Sequence, residues 1–428
     1  MRRYRFVFMI STMVVVVFIA LLSFLKYTNA FNDVKKIDGI EDVAQTFDEF
    51  EIPEGVRVVG IGEATHGNRE FQLVKKAVLE KVVNEGDGRC ICFEMATGDA
   101  AMINDAIHDK DSDLVQVIGK QSYPLYDTDE MVQLLKWMRD YNMTVPYEES
   151  LMFYGVDIQG AQTAITYMQE LCDENDTLFT LEEKEKLLSI KTETKDDYVA
   201  DRDFFDKLFQ RLSKEEGLKE RQLSIVAKCV VLHIDAPDYD KDQEEFGKNR
   251  DIQMAQLLKD YSELEDARGY AQVVITAHNA HVMKGGSSVL PAADDDTMGD
   301  RIDALFEGSY FCIGTGFYEG NVNIHTAGTY EENYERKDHF YVSDDPFAYQ
   351  AKFFENGTYC LDFSKVTDEN SSVYKKLHSY VFTGLVGEGY SPLNDLFNSH
   401  RTSMILADRY DALICYYEVT PIDPINYR

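Results

Sequence analysis

The sequence GEATHGN, at residues 62–68, combines the side chains that a water-activating site needs. Glu63 precedes His66 by three residues, and a glycine stands on each side of the pair. Histidine titrates near neutral pH, so it can take a proton from water under physiological conditions. A neighbouring carboxylate can orient the imidazole ring or help to position the water. His66 is therefore the first candidate for a general base.

Three further polar clusters contain groups of the same kind. Glu94 lies in FEMATGD, Asp157 in FYGVDIQG, and His278 and His281 in ITAHNAHV. A carboxylate that ends an apolar strand is costly to bury unless it is paired. We expect Glu94 to be functional or to pair with a histidine or arginine, and Asp157 to hold a histidine or a loop. Two histidines three residues apart suit acid–base work or a metal, although the HExxH metal motif is absent.

Each cluster follows a segment that is predicted to be a buried strand. These apolar segments are VRVVGI (56–61), CICFE (90–94), FYGVDI (153–158) and AQVVITAH (271–278). Helical periodicity separates the first three, which indicates parallel strands joined by crossover helices. Ligands of open α/β sheets bind at the carboxyl ends of the strands. We therefore expect Glu63, His66, Glu94 and His278 to share one cleft.

The pattern changes between about residues 161 and 266, which are charged, nearly all helical and poor in strand signals. Strands resume at 271–278 and continue with YFCIGTG (310–316) and ALICYYEV (412–419). The predicted fold is α/β, with a parallel β-sheet core flanked by helices and a largely helical cap or insertion at about 161–266. Residues 31–428 are predicted to form one catalytic domain.

Residues 1–30 resemble a membrane anchor or a signal segment. Three arginines precede an apolar run from Phe6 to Leu25, which is long enough to cross a bilayer as a helix. The flanking charges predict a single-pass cell-membrane protein with an extracellular catalytic domain. The alternative is a secreted protein, since Thr28 and Ala30 would make a cleavage site.

Composition narrows the classes of partner. The formal net charge is −33, which opposes binding to nucleic acid. The seven cysteines are odd in number and follow no disulfide or CxxC zinc spacing. We expect them to be buried small hydrophobic residues, with Cys90 and Cys92 on one face of a strand.

Several segments together resemble the erythromycin esterase family. The matching segments, in chain order, are GEATHGNREF, ICFEM, FYGVDIQG, RDIQMAQ, AHNAHV and YDALICYYEVTPI. The resemblance spans roughly residues 40–420. It implies a parallel α/β core with a helical cap, a cleft between them, and hydrolysis of an ester, which in macrolide members is the ring lactone.

The resemblance also implies roles for individual residues. By position, it implies catalytic roles for His66, Glu63, Glu94 and His278, and substrate-binding roles for His281 and Arg250. His66 would be the base that deprotonates water, and Glu63 would orient His66 or the water. Arg250 would hold substrate or the cleft carboxylates. The sequence contains no GxSxG motif, so a serine nucleophile has no motif support.

The expected partners are a small-molecule ester, with a macrolide as one candidate and antibiotic inactivation as a role, and the membrane through the N-terminal helix. No cofactor is expected, although a divalent metal stays open. Two other functions remain: a metal-dependent hydrolase or peptidase of the same fold, and a non-catalytic protein that binds a small ligand.

Overall fold

The strands form where the sequence has apolar, β-branched runs. The computed structural model describes residues 11–21, 34–122, 124–174, 177–285, 297–326, 335–390 and 400–425. Within these residues the strands are β1 (Val58–Glu63), β2 (Gly88–Ala96), β3 (Met152–Asp157), β4 (Gln272–His278), β5 (Tyr310–Thr326), β6 (Arg336–Val342), β7 (Thr358–Asp362), β8 (Tyr380–Gly384), β9 (Gly389–Tyr390), β10 (Arg401–Ile405) and β11 (Ala412–Val419).

Helices fill most of the intervals between the strands. They are α1 (11–21), α2 (Arg69–Glu85), α3 (Thr97–Ala106), α4 (Leu114–Ile118), α5 (Asp129–Asn142), α6 (Ala161–Glu174), α7 (Leu181–Ser189), α8 (Arg202–Leu212), α9 (Leu218–Asp235), α10 (Gln243–Arg268), α11 (Asn279–Val282), α12 (Met298–Leu305) and α13 (Ser372–Leu377). Several begin at polar caps, such as Thr128, whose hydroxyl accepts the N–H of Met131 at 3.2 Å.

The main sheet has the strand order β3–β2–β4–β1–β5–β11–β7, and β6 and β9 also pair with β5. The central pairs are parallel, whereas β7 and β6 add antiparallel edges. The predicted α/β fold, with a mostly parallel sheet flanked by helices, is confirmed. The register of β1 and β4 sets Glu63 directly beside His278.

Both faces of the sheet are covered by apolar side chains. Val58, Cys90 and Cys92 belong to the core on one face, and Val59 and Ile91 to the core on the other. This alternation follows from the two-residue period of a strand. All seven cysteines are buried, as the sequence predicted.

Residues between β3 and β4 form α6 to α10, with no strand among those that the structure describes. α6 to α9 enclose an apolar cluster of their own, to which side chains of α3 also contribute. α10 packs against the sheet, and its buried Met254, Leu257 and Leu258 join the core on the first face. Its N-terminal turns bring Arg250 and Asp251 to the carboxyl ends of the strands.

The C-terminal third of the chain differs most from the sequence prediction. β5 runs for 17 residues and extends beyond the parallel sheet, where it pairs with β6. β8 and β10 form a separate antiparallel pair. The segment after β8 then returns to the start of the fold, because the N–H of Val386 donates to the carbonyl of Ala64 at 2.9 Å.

The prediction of an N-terminal membrane anchor is wrong. Among the described residues, no helix has both the length and the apolar character needed to span a bilayer. The membrane as a partner and the single-pass location with an extracellular catalytic domain are wrong with it. The cleavage site at Thr28 and Ala30 lies outside the described residues.

Close packing of α3 on α6 predicts a position that tolerates no side chain. A Cβ atom at Gly98 would overlap the backbone of Thr163 and Ala164, which cannot move away as a flexible side chain could. We expect Gly98→Ala to lower the free energy of unfolding by about 1–3 kcal/mol. The measurement is chemical denaturation followed by circular dichroism.

The control for Gly98→Ala is Gly247→Ala. Gly247 lies exposed inside α10, and an added Cβ atom would meet nothing within 4 Å. This change should raise the free energy of unfolding by about 0.5–1 kcal/mol. Equal effects at the two glycines would contradict the packing argument.

Candidate active site

The turn after β1 presents Glu63 and His66 at the centre of the sheet edge. β1 lies between β4 and β5, so both neighbours shield this turn. Neither glycine of the motif has a positive φ. Gly62 is required because a Cβ atom there would overlap the side chain of Asn279, and Gly67 because one would overlap the carbonyl of Asn323. Close approach, rather than backbone conformation, therefore explains both glycines.

The carboxylate of Glu63 is fully buried and lies in contact with several hydrogen-bond donors. Its Oε1 lies 2.9 Å from Nδ1 of His66 and accepts the hydroxyl of Tyr126 at 3.1 Å. Its Oε2 lies 2.9 Å from Nζ of Lys75 and 3.5 Å from the amide nitrogen of Gln72. Burial alone would raise the pKa of Glu63, but the charges of Lys75 and His66 lower this pKa to about 2. Glu63 is therefore ionised.

An ionised Glu63 fixes the tautomer of His66. The carboxylate can only accept, so Nδ1 of His66 carries the proton and Nε2 has the lone pair when the ring is neutral. His66 lines the cleft, and Nε2 is the ring nitrogen that Glu63 does not occupy. Burial lowers the pKa of His66, but the carboxylates of Glu63, Glu94 and Glu388 outweigh it and raise the pKa above its ordinary value.

A second charged network surrounds Arg250. Its Nε and Nη2 donate to the two oxygens of Asp157 at 2.9 and 2.7 Å, and Nη2 also donates to Oε1 of Glu94 at 2.6 Å. Glu94 accepts the backbone N–H of His278 on Oε2 at 2.9 Å. Burial would raise the pKa of Glu94, but His281 and Arg250 hold it well below its usual range. Arg250 thus ties the ends of β2 and β3 to α10.

At neutral pH, His278 is neutral and His281 is positively charged. Burial, together with neighbouring His66, lowers the pKa of His278 to about 4. Burial also opposes the charge on His281, but Glu94 and Asp251 raise its pKa to about 10. The Nδ1 and Nε2 atoms of His281 lie 2.6 Å from Asp251 and 3.2 Å from Glu94, respectively.

The two networks meet between His66 and His278, whose ring centroids are 5.1 Å apart. Nε2 of His278 lies 3.2 Å from the carbonyl of Val386, and Nδ1 accepts the N–H of Ala280 at 3.4 Å. Both nitrogens of this neutral ring thus have partners in the protein. The segment around Val386 holds His278 in place against the turn that carries His66.

A cleft of about 380 Å³ opens over this edge of the sheet. His66, Glu94 and Arg250 line it, together with Tyr126 and Glu388. Glu63, His278 and His281 stand behind these residues in direct contact with them. The structure therefore brings all six predicted site residues together, three on the cleft wall and three in support. The volume lies within the range of small-molecule sites.

Comparison with known proteins identifies the family of the chain. Residues 83–419 match the family described as erythromycin esterase. The chain belongs to the erythromycin esterase family. It is 24% identical over 319 residues to erythromycin esterase type II from Escherichia coli, with 64% of this chain and 71% of that protein covered. The resemblance noted in the sequence is confirmed, and the family assignment supports a hydrolase, with an esterase suggested.

Solved structures extend the likeness to the fold. A protein from Bacillus cereus is 20% identical with a TM-score of 0.67, covering 90% of this chain and 97% of that one. A succinoglycan biosynthesis protein is 18% identical with a TM-score of 0.66, covering 87% and 90%. A histidine-to-asparagine mutant of erythromycin esterase EreC, in its open conformation, is 15% identical with a TM-score of 0.58, covering 88% and 97%.

Sequence analysis missed several residues of the candidate site. Lys75 stands on α2 in line with Phe71 and Val78, so a lysine on the apolar face of a predicted helix was the available signal. Tyr126 and Glu388 carried no such signal. They reach the cleft from a short 3-10 turn and from the segment between β8 and β9.

The raised pKa of His281 predicts a stability that depends on pH. The unfolded histidine titrates near about 6.5, and the folded one at about 10. The folded state therefore binds the proton more tightly. The stabilisation is fully present below about pH 6.5 and declines as the pH rises through 10, by at most about 1.4 kcal/mol per pH unit.

The measurement is the free energy of unfolding of the wild type and His281→Gln between pH 6 and 10. The difference between the two proteins should shrink as the pH rises. The exposed His378, replaced by glutamine in the same way, is the matched control. A difference that stays constant or widens over this range would show that His281 is not held in its charged form.

Proposed function

We propose that this member of the erythromycin esterase family hydrolyses a carboxylic ester by direct attack of water, with His66 as the general base. The observation that carries the proposal is the Glu63–His66 pair, 2.9 Å apart, whose free ring nitrogen belongs to a side chain on the cleft wall. An ionised carboxylate behind an imidazole favours the charge that the ring acquires when it takes a proton.

The reaction requires two proton transfers by His66. Nε2 takes a proton from water while the water oxygen attacks the ester carbonyl carbon, which gives a tetrahedral intermediate with a negatively charged oxygen. When the bond to the alkoxide breaks, Nε2 returns the proton to the leaving oxygen. The products are a carboxylic acid and an alcohol, or a ring-opened hydroxy acid if the substrate is a macrolactone.

Arg250 is the proposed substrate-binding group of the cleft. Its guanidinium lines the cavity and keeps its positive charge, because nearby Asp157 and Glu94 outweigh burial and raise its pKa well above the ordinary value. A fixed positive charge next to the carbonyl stabilises the developing oxyanion. Asp157 and Glu94 fix the guanidinium plane, which is the geometric advantage of arginine over lysine.

Glu94, His278 and His281 act by holding this arrangement. Glu94 is ionised and accepts from Arg250 and from the N–H of His278, so it serves as an electrostatic anchor rather than a proton carrier. His278 stays neutral beside His66, because burial and His66 lower its pKa to about 4, so it places no second positive charge next to the base. His281 is a fixed cation that neutralises part of the carboxylate charge.

Metal independence is part of the proposal. Among the residues that the structure describes, no three histidine, cysteine, aspartate or glutamate side chains are grouped to hold a metal ion. EDTA should leave turnover unchanged. Loss of turnover that zinc or manganese restores would favour the metal-dependent hydrolase, and a purified protein that binds ligand without turnover would favour the binding protein.

A macrolide is one candidate substrate, because the E. coli relative is named as an erythromycin esterase. Inactivation of such an antibiotic is then the proposed role. A panel of carboxylic esters, simple lactones and macrolides, incubated with the purified protein and analysed by mass spectrometry, tests this choice. The gain of one water by a macrolide would support the role, and turnover restricted to other esters would move it to a different substrate class.

Loss of the base should affect catalysis far more than folding. We expect His66→Ala to lower kcat by about 10²–10⁴-fold, with a change in the free energy of unfolding of about 1 kcal/mol. Glu63→Gln should be less severe because the base survives. Steady-state kinetics on the best substrate of the panel and chemical denaturation, with His378→Ala as control, measure the two effects. Near-normal turnover by His66→Ala would remove His66 from this role and leave His278 as the next candidate.

A further inference from the structure

Lys75 is a fully buried cation that the proposed reaction does not itself use. It lies on the inner face of α2, and its side chain is 1% exposed. Its Nζ is 2.9 Å from Oε2 of Glu63 and donates to Oε1 of Gln72 at 2.8 Å. Nζ also lies 4.4 Å from the ring centroid of Tyr126 and 5.4 Å from that of Phe93. Two aromatic faces, an amide and a carboxylate thus enclose the ammonium group.

Such an arrangement is costly unless each charge keeps its partner. Moving one ammonium out of water costs several kcal/mol even after the protein relaxes. Glu63 and the two rings offset this cost, since an ammonium over aromatic faces is attracted by their quadrupoles. A buried pair of this kind is weak evidence for stability, because apolar residues often pack as well or better. Its position next to the base points to a different role.

We propose that Lys75 is a positioning residue, whose buried charge holds Glu63 ionised and so keeps Nε2 of His66 free to accept a proton from water. This inference rests on the proposed function, because it assigns a role relative to His66 as the base. Lys75 contacts Oε2 of Glu63, whereas His66 contacts Oε1. The carboxylate is therefore held between the Lys75 ammonium and the imidazole.

The other charged groups around His66 make this cation necessary. Glu63, Glu94 and Glu388 all favour a proton on His66, and the neutral His278 faces its ring at 5.1 Å. Tyr126 donates its hydroxyl to Glu63, and Arg250 and His281 neutralise Glu94 on the far side of the cleft. Without Lys75, one cation fewer would offset the negative charge of Glu63, and the Glu63–His66 pair would retain its proton to higher pH.

The experiment compares Lys75→Met with Lys81→Met in the full chain. Lys81 lies on the same helix, is also largely buried, pairs with Glu85 at 3.1 Å and stands over the ring of Phe47 at 5.8 Å. It does not contact Glu63, so it matches the burial, charge and aromatic contact of Lys75 without the contact to the site. The readout is the pH dependence of kcat/KM on the best substrate of the panel.

In Lys75→Met, the acid limb of the profile should move upward by about one pH unit or more, because the imidazolium of His66 loses a nearby like charge. Turnover on the acid side then falls about tenfold for each pH unit that the limb moves, while the alkaline plateau falls much less. Lys81→Met should keep the wild-type limb. A uniform loss at every pH with an unmoved limb, or no change at all, would overturn the proposal.

The same experiment separates this inference from the proposed function. If His66→Ala retains turnover, His66 is not the base, whatever the result for Lys75→Met. If His66→Ala loses most of its turnover and the acid limb of Lys75→Met does not move, only the proposed role of Lys75 is contradicted. Lys75→Gln keeps an N–H donor for Glu63 and loses the charge, so it should move the limb in the same way.

If Lys75→Met and Lys75→Gln both fail to fold, a measurement that uses no Lys75 variant still tests the proposal. ¹⁵N NMR of the wild type, with the His66 signals identified by their loss in His66→Ala, reports which ring nitrogen carries the proton. Above the acid limb, the proposal requires the proton on Nδ1. A proton on Nε2 would mean that Glu63 is not an ionised acceptor, which overturns the proposal.

Discussion

The ionised carboxylate of Glu63 is the constraint on which the site depends. It ends the central strand β1, is 0% exposed, and lies in register with His278 on β4. A charge at such a depth persists only when donors surround it. Here the donors come from the turn after β1, from α2 and from the segment before α5. These contacts hold α2 and Tyr126 against the turn after β1 and orient the ring of His66.

A second buried charge network completes the site from the other side. Glu94 lies near the end of β2, Asp157 ends β3, and Arg250 of α10 joins them with its fork of N–H groups. The long helix α10 therefore packs its apolar face on the sheet, and its first turns bring one arginine to the strand ends. The link between the networks is the backbone of His278, which donates to Glu94 while its ring faces His66.

Sequence patterns foretold the parts of this design that are local. The strands β1 to β4 could be predicted because each is a short apolar run, and parallel pairing then gathers their polar ends at one edge. The helical character of residues around 161–266 and the position of the last strand could also be predicted from local sequence patterns. The apolar run at the N-terminus predicted a membrane-spanning helix, and no helix among the described residues could span a bilayer. Glu388 and Val386 could not be foreseen, since they approach the turn of β1 from more than 300 residues away.

The pairing of Lys75 with Glu63 could have been predicted from the sequence. A lysine on the apolar face of a predicted helix must either extend to solvent or find an anion. The helix begins directly after a turn that ends an apolar strand with a glutamate, so the anion was already present in the motif. Glu63 and Lys75 are charged residues in otherwise apolar segments, and each is the partner that the other needs. Residues that break a local pattern without a local partner are the ones most informative about a site.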